Sequence, residues 1–415
     1  MMMSAKTRNL PMEKLLHDAI ESYHSSVPWD EWTLPKVSIL QKILHERKLR
    51  KLLEKTLKEL PDLNEESLRQ MSKEEKDELR VKLKETAKML DQEKLLYSTP
   101  FLMEFMNLGF LESTEAFFEK SQSFEPEFKP EDLFQAVRNV WIMNCLQLLF
   151  HKPVCLTSSI FSYSLLYPYT DNYLDDPNTS SKEKSSFNHM IYDKILGNPV
   201  SAPTPYEAKV CALLDNIERE FPRDTYPSVY ESLWSIQDAQ SKSILQSKKE
   251  VPPQEILQLS FYKGGASVLA DACLVKGELT PNESTFAFGY GTFLQLLDDL
   301  QDRMEDASMK HQTLYSGIPL ESHLDEYIEK LLRYIDCVLT SYESEINSPV
   351  SMNDVIRSCM RMMVESVVGK HPTYVSKNYY KTLESYSSVR LSFYPEMEKI
   401  MEEALRNKES RNTGS

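Results

Sequence analysis

Two short acidic runs carry the chemistry that this chain offers. One is Asp171-Asn172-Tyr173-Leu174-Asp175-Asp176, and the other is Asp298-Asp299-Leu300-Gln301-Asp302. Each sets carboxylates at i and i+4, which a helix places on one face. Like charges at that spacing repel, which costs stability unless a cation bridges them. Mg²⁺ prefers one or two carboxylates, with waters and substrate phosphates completing its shell. Two such clusters facing one another make a site for a diphosphate and its metal ions. A single acidic run reads more simply as a solvated helix end. Two runs, each closing an apolar helix, are harder to explain that way.

The elements that must position these groups are apolar and aromatic. FSYSLLYPYT leads into the first run and AFGYGTFLQLL into the second. Gln295 and Gly291 stack behind Asp298 and Asp302, and Ser164 and Tyr167 stack behind Asp171 and Asp175. Both columns fit the wall of a cavity with carboxylates at its mouth. Phe161, Tyr163, Tyr169, Tyr173, Phe286, Phe288, Tyr290 and Phe293 add rings nearby. A ring face stabilises a cation by about 0.5–2 kcal/mol, although residue by residue ordinary core explains these aromatics as well. Pro168, three residues before Asp171, is awkward inside a helix and predicts a kink.

Several basic residues are candidates for holding a leaving diphosphate. Lys263 precedes Gly264-Gly265 in a glycine-poor chain, and a glycine pair in an apolar helix marks a break or a close backbone approach. Arg219 and Arg223 flank a helix end at FPRDTYP, Lys242 lies near Gln240 in QDAQSKSILQ, and Lys310 follows the second run. Taken singly, all but Lys263 read as surface charges.

Composition narrows the classes. At 415 residues the chain can bury one large core or two ordinary ones. With only 10 glycines, no Gly-rich phosphate loop and few alternating runs, it reads as all-α. A net charge of −15 argues against a nucleic-acid binder, while metal ions can still bring in a phosphate substrate. The six cysteines form no CxxC pair and read as reduced thiols. The N-terminal MMMSAKTRNLPMEK has no signal-peptide core, and no run of about 18 apolar residues spans a membrane, so the expected location is cytoplasmic. There is no HExxH and no GxSxG, and zinc has no evident ligand set.

Along the chain, residues 1–130 read as an N-terminal helical extension or cap, 131–405 as one catalytic domain and 406–415 as a disordered tail. The extension holds an amphipathic piece at Leu15–Tyr23, a segment with Trp29 and Trp32, and charged helices over 37–95 broken at Pro61. SQSFEPEFKPED (121–132) is expected to be a loop and boundary. The stretch 177–186 is expected to end the first acidic helix as a polar loop, and further helices are expected near 320–345, 351–368 and 377–405.

These residues resemble a known superfamily. Gly291–Asp302 looks like the second aspartate-rich motif of trans-prenyl diphosphate synthases, with Leu294 between Phe293 and Gln295. YKGGAS (262–267) is similar to the lysine-containing segment before that motif, and KHQTLYS (310–316) to the Lys-x-x-Thr stretch after it. TDNYLDDPN (170–178) looks like the first motif in its terpene-synthase or squalene/phytoene-synthase form. The resemblance covers roughly residues 133–345. It implies the class I isoprenoid synthase fold, an all-α helical bundle around a deep apolar cavity. It implies three Mg²⁺ ions between Asp171, Asp175, Asp176 and Asp298, Asp299, Asp302, with Lys263, Lys310 and Arg223 steadying the diphosphate. The Gly-Lys-x-x-Arg-Pro segment of chain-elongating synthases and the Asn/Ser/Glu metal triad of plant and microbial terpene synthases are both missing. The expectation is therefore a terpene synthase acting on one linear prenyl diphosphate. The rival expectations are a prenyltransferase joining two such substrates and a catalytically silent helical subunit. A homodimer is compatible with the sequence.

Overall fold

The structure is a computed structural model. It describes residues 10–26, 35–59, 72–97, 100–126, 128, 130–176, 178–247, 251–342 and 351–412, without the side chains of 130, 131, 171, 175 and 405–412. Trp29, Trp32, Pro61 and Pro177 lie outside the described residues. Seventeen α-helices and no strand occur among the described residues, so the chain is all-α. They are α1 (Met12–Ser25), α2 (Ile39–Glu59), α3 (Lys73–Glu93), α4 (Leu102–Asn107), α5 (Phe110–Phe124), α6 (Pro130–Leu149), α7 (Ser158–Asp175), α8 (Ser181–Leu196) and α9 (Pro205–Glu220). There follow α10 (Pro227–Ser243), α11 (Pro253–Lys276), α12 (Pro281–Gln301), α13 (Arg303–Met309), α14 (Asp325–Ser341), α15 (Met352–Lys370), α16 (Lys377–Tyr386) and α17 (Phe393–Asn412). None of the described helices is long and apolar enough to cross a membrane.

The helix starts follow local chemistry. Ser72, Ser180, Thr204 and Thr280 each accept from the N3 backbone N–H while a glutamate at N3 reaches back to the cap. Pro205, Pro227, Pro253 and Pro281 occupy first positions, where a missing N–H costs nothing. Three expectations need correction. Residues 121–124 continue α5 and 130–132 begin α6, so the loop between them is shorter than its prolines predicted, and Pro130 opens a helix rather than breaking one. Residues 181–186 belong to α8, because the Ser180–Glu183 box nucleates it. The C-terminal stretch divides into α16 and α17, and α17 runs on to Asn412 through residues expected to be a tail. Glutamate, lysine and arginine are good helix formers, and Lys399 lies one turn before Glu403, 3.8 Å away.

Contacts group the chain into two units. The first gathers described residues from 1–26, 109–318 and 334–346, and the second those from 27–108, 319–333 and 347–415. In the second unit α2 packs on α17, more than three hundred residues later in the chain. Glu46, 2% exposed, accepts from the backbone N–H and guanidinium of Arg390, and Arg50 pairs with Glu396. Buried Lys42 donates to the carbonyls of Glu384 and Ser387 at the end of α16.

In the first unit α11 is the central element, packed against α12, α10, α6 and α7. α7 runs through Pro168 without ending. Asp271 of α11 is 1% exposed and takes a hydrogen bond from Asn139 Nδ2 at 3.2 Å, while the same amide lies 3.3 Å from Ser164 Oγ. No cation pairs with Asp271 among the described residues. Burial therefore holds its carboxyl well above the ordinary range, opposed by the Asn139 bond. Such a group binds a proton in the folded state that the unfolded chain has released. Its contribution to stability is complete below the ordinary carboxylate pKa of about 4 and is lost as pH rises toward the raised value, at up to about 1.4 kcal/mol per pH unit. Asp271→Asn stays neutral at every pH. Thermal melts should show it matching the parent near pH 4 and exceeding it at pH 8, by about 2–4 °C for each kcal/mol recovered. A variant that melts below the parent at pH 8 would show that Asp271 is ionised and stabilised there.

Candidate functional site

The second acidic run closes α12 beside the early turns of α11. The two helices are antiparallel and joined by the short link 277–280. Glycine sets their closeness. A Cβ on Gly264 would meet Gln295 Cβ and the Gly291 carbonyl at 2.5 Å, and one on Gly291 would meet Val268 Cβ at 2.9 Å. Gly291 thus lies at a helix crossing and does not line a cavity, contrary to its expected place beside a substrate chain. Helix periodicity put it on the right column, but what faces that column is α11.

Two turns further along α12, Asp299 is 5% exposed. Its Oδ2 accepts from Ser260 Oγ at 2.9 Å and its Oδ1 from Gln295 Nε2 at 2.8 Å. Burial pushes its carboxyl up to about 7, against the pull of the Gln295 and Ser260 bonds and the Lys263 charge, with Asp298 pushing further up. Asp298 and Asp302 are exposed at the rim, and burial together with the Asp298 charge raises Asp302. Asp306 of α13 joins them. Burial and Asp302 raise it to about 6, while Thr313 donates to it and Lys263 again pulls down. Its N–H bonds to the Asp302 carbonyl at 2.8 Å, as that of Asp302 does to Asp298 at 3.0 Å, so the three aspartates continue one helical path. His311 also feels Lys263: burial first, and then that charge, lower its pKa. The structure therefore brings Asp298, Asp299, Asp302 and Lys263 together, with Thr313 of the Lys-x-x-Thr stretch, and adds Asp306, Ser260 and His311, which the sequence reading missed. The i, i+4, i+8 spacing of Asp298, Asp302 and Asp306 is the signal that could have found Asp306.

The other candidates are placed differently. α7 carries Asp171 and Asp175, whose side chains lie outside the described residues. Asp176 caps that helix, and its carboxylate accepts from Asn178 N–H at 2.9 Å, Asn178 Nδ2 at 3.0 Å and Thr179 Oγ1 at 2.9 Å. The Asn178 backbone bond leads in holding it below the ordinary range. Ser164 is buried against Asn139, and Tyr167 is 40% exposed. Arg223 closes the C-terminal end of α8: its guanidinium donates to the carbonyls of Lys194 and Ile195, meets Glu218 at 3.1 Å and lies 3.7 Å over the Tyr230 ring. Those partners make it a helix-end clamp, correcting its expected role at a diphosphate. Exposed Arg219 donates to Asn216, and Lys242 pairs with Asp238 at 2.7 Å, one turn before it on α10, the helix that also carries Gln240. Lys310 is exposed in a left-handed conformation at the end of α13.

Two further features lie away from the second run. A cavity of about 430 Å³ opens beside Arg223, lined by Lys194, Gly197, Glu218 and Asp224, and its polar wall is not the apolar pocket expected between the motifs. Among the described residues, only His17, Asp18 and Glu21 bring three metal-binding atoms within 4.8 Å of one another. They sit on α1, with Lys14 already paired to Asp18, and read as ordinary surface charges. The carboxylates of the second run stand further apart than that. No protein-family model matches the chain, and no curated protein or solved structure matches it.

Proposed function

We propose that the chain is a Mg²⁺-dependent class I terpene synthase, an all-α isoprenoid synthase that ionises a linear allylic prenyl diphosphate in the cytoplasm. The observation that carries this reading is the succession of Asp298, Asp302 and Asp306 along the end of α12 into α13 beside buried Asp299, with Lys263 acting on Asp299 and Asp306. Carboxylates that raise one another's pKa favour a bound cation, and an all-oxygen donor set suits Mg²⁺. Asp298, Asp299 and Asp302 would hold the metal on this side, and Asp171 and Asp175 on the other. When bound, Mg²⁺ neutralises the charge that develops on a departing diphosphate. Lys263 and Lys310 bind the same group, and Gln295 and Ser260 orient Asp299.

The experiment is incubation of the full chain with allylic prenyl diphosphates of increasing length, with and without Mg²⁺, reading diphosphate release and product mass. Release should require Mg²⁺ and yield a linear or cyclic terpene from one substrate. A requirement for a second prenyl diphosphate would make the protein a prenyltransferase. No release under either condition would leave it a helical subunit without catalysis.

A further inference from the structure

The stretch leading into α11, the helix that bears Lys263, is tied to the end of α13 by a pair of glutamines. α10 passes into a 3₁₀ segment, Ile244–Ser247, before α11 begins at Pro253. Gln246, 3% exposed, donates from Nε2 to the Gln312 carbonyl at 2.8 Å, and its own carbonyl accepts from Gln312 N–H and Gln312 Nε2, both at 3.1 Å. Gln312 Oε1 accepts from the Val251 N–H at 3.0 Å. Ser247 Oγ lies 2.7 Å from His311 Nδ1. The segment that receives these bonds, 310–318, is itself fixed from the acidic side. Fully buried Arg303 donates to the carbonyls of Tyr315 at 3.2 Å and Ile318 at 3.3 Å, and Thr313 donates to Asp306.

These bonds join the stretch leading into α11 to the stretch leaving α13. The glycine crossing at Gly264 and Gly291 holds the two helices at one level, and the glutamines hold them again beyond the acidic run. Ser260 bonds Asp299 between these two levels, and the glutamine link fixes the chain that carries His311 and Thr313 against that end of α11. The group whose orientation matters here is Lys263, which is electrostatically coupled to Asp299, Asp306 and His311.

We propose that Gln312 is a positioning residue of the diphosphate site, which with Gln246 sets the stance of Lys263 against Asp299 and Asp306. This inference rests on the reading of that end as a diphosphate site. Residues that orient metal or phosphate ligands without touching the ligand change affinity about 10–100-fold when removed.

The test is calorimetric titration of the full chain with inorganic diphosphate in Mg²⁺, alongside thermal melts. Gln312→Ala should weaken diphosphate binding at least about 10-fold. Gln246→Ala removes a separate side-chain bond of the same link, to the Gln312 carbonyl, and should weaken binding too, with the double variant binding no tighter than the poorer single one. A folded Gln312→Ala protein that binds as tightly as the parent, whether or not its melting temperature falls, overturns the proposal. If Gln312→Ala does not fold, Gln312→Glu keeps the acceptor for Val251, loses the side-chain donor to the Gln246 carbonyl and is measured against the same expectation. A parent that takes up no diphosphate with Mg²⁺ overturns the diphosphate site, and this inference with it.

Discussion

Asp299→Ala is expected to lower Mg²⁺-dependent diphosphate release by about 10²–10³-fold, the loss typical of removing one preorganised electrostatic contact to a reacting group. The side chain is buried and held on both oxygens, by Ser260 and Gln295, so its position is set before any ligand arrives. Its carboxyl is pushed up to about 7 in the absence of a cation. Removing it takes away a group that is costly to ionise, so the helical fold should survive. Steady-state release rates and circular dichroism on the same preparation check both halves. Turnover near the parent's in a folded Asp299→Ala protein would end the metal assignment. Asp298→Ala, at the exposed rim, is the companion measurement for the second carboxylate of the pair.

Gly291→Ala is expected to overpack the first unit at a cost of about 3 kcal/mol, the upper end for such changes. The new methyl would collide with the Gly264 carbonyl group and lie 2.9 Å from Val268 Cβ. Backbone at a helix crossing cannot swing aside as a side-chain end can, so α11 and α12 would have to part. The intrinsic helix preference of alanine over glycine returns only about 1 kcal/mol. The net loss of about 2 kcal/mol should lower the melting temperature of a unit of this size by about 4–8 °C. Gly317→Ala is the control, since a Cβ there meets only the Thr313 carbonyl at 3.5 Å. An unchanged melting temperature for Gly291→Ala, with altered preference for substrate length, would put Gly291 back on a cavity wall.

Sequence alone determined what depends on neighbours in the chain. The all-α class follows from scarce glycine and absent alternation, and helix starts near Thr204 and Thr280 follow from capping residues within one turn. The second acidic run was legible because i and i+4 on a helix are adjacent whatever the helix packs against. Tertiary structure decided everything that needs a partner distant in sequence. A helix face does not say what it meets, so Gly291 could read as cavity until α11 was found against it. Arg223 looked available for a ligand until the end of α8 supplied its acceptors. Asp306 lay past the end of α12, and the bond from its N–H to the Asp302 carbonyl joins it to the run. The pairing of α2 with α17, sealed by Glu46 and Arg390, separates the chain differently from a cut near residue 130. Periodicity reports which residues share a face. Burial, and with it the raised carboxyls of Asp271 and Asp299, is set by which faces the fold brings together.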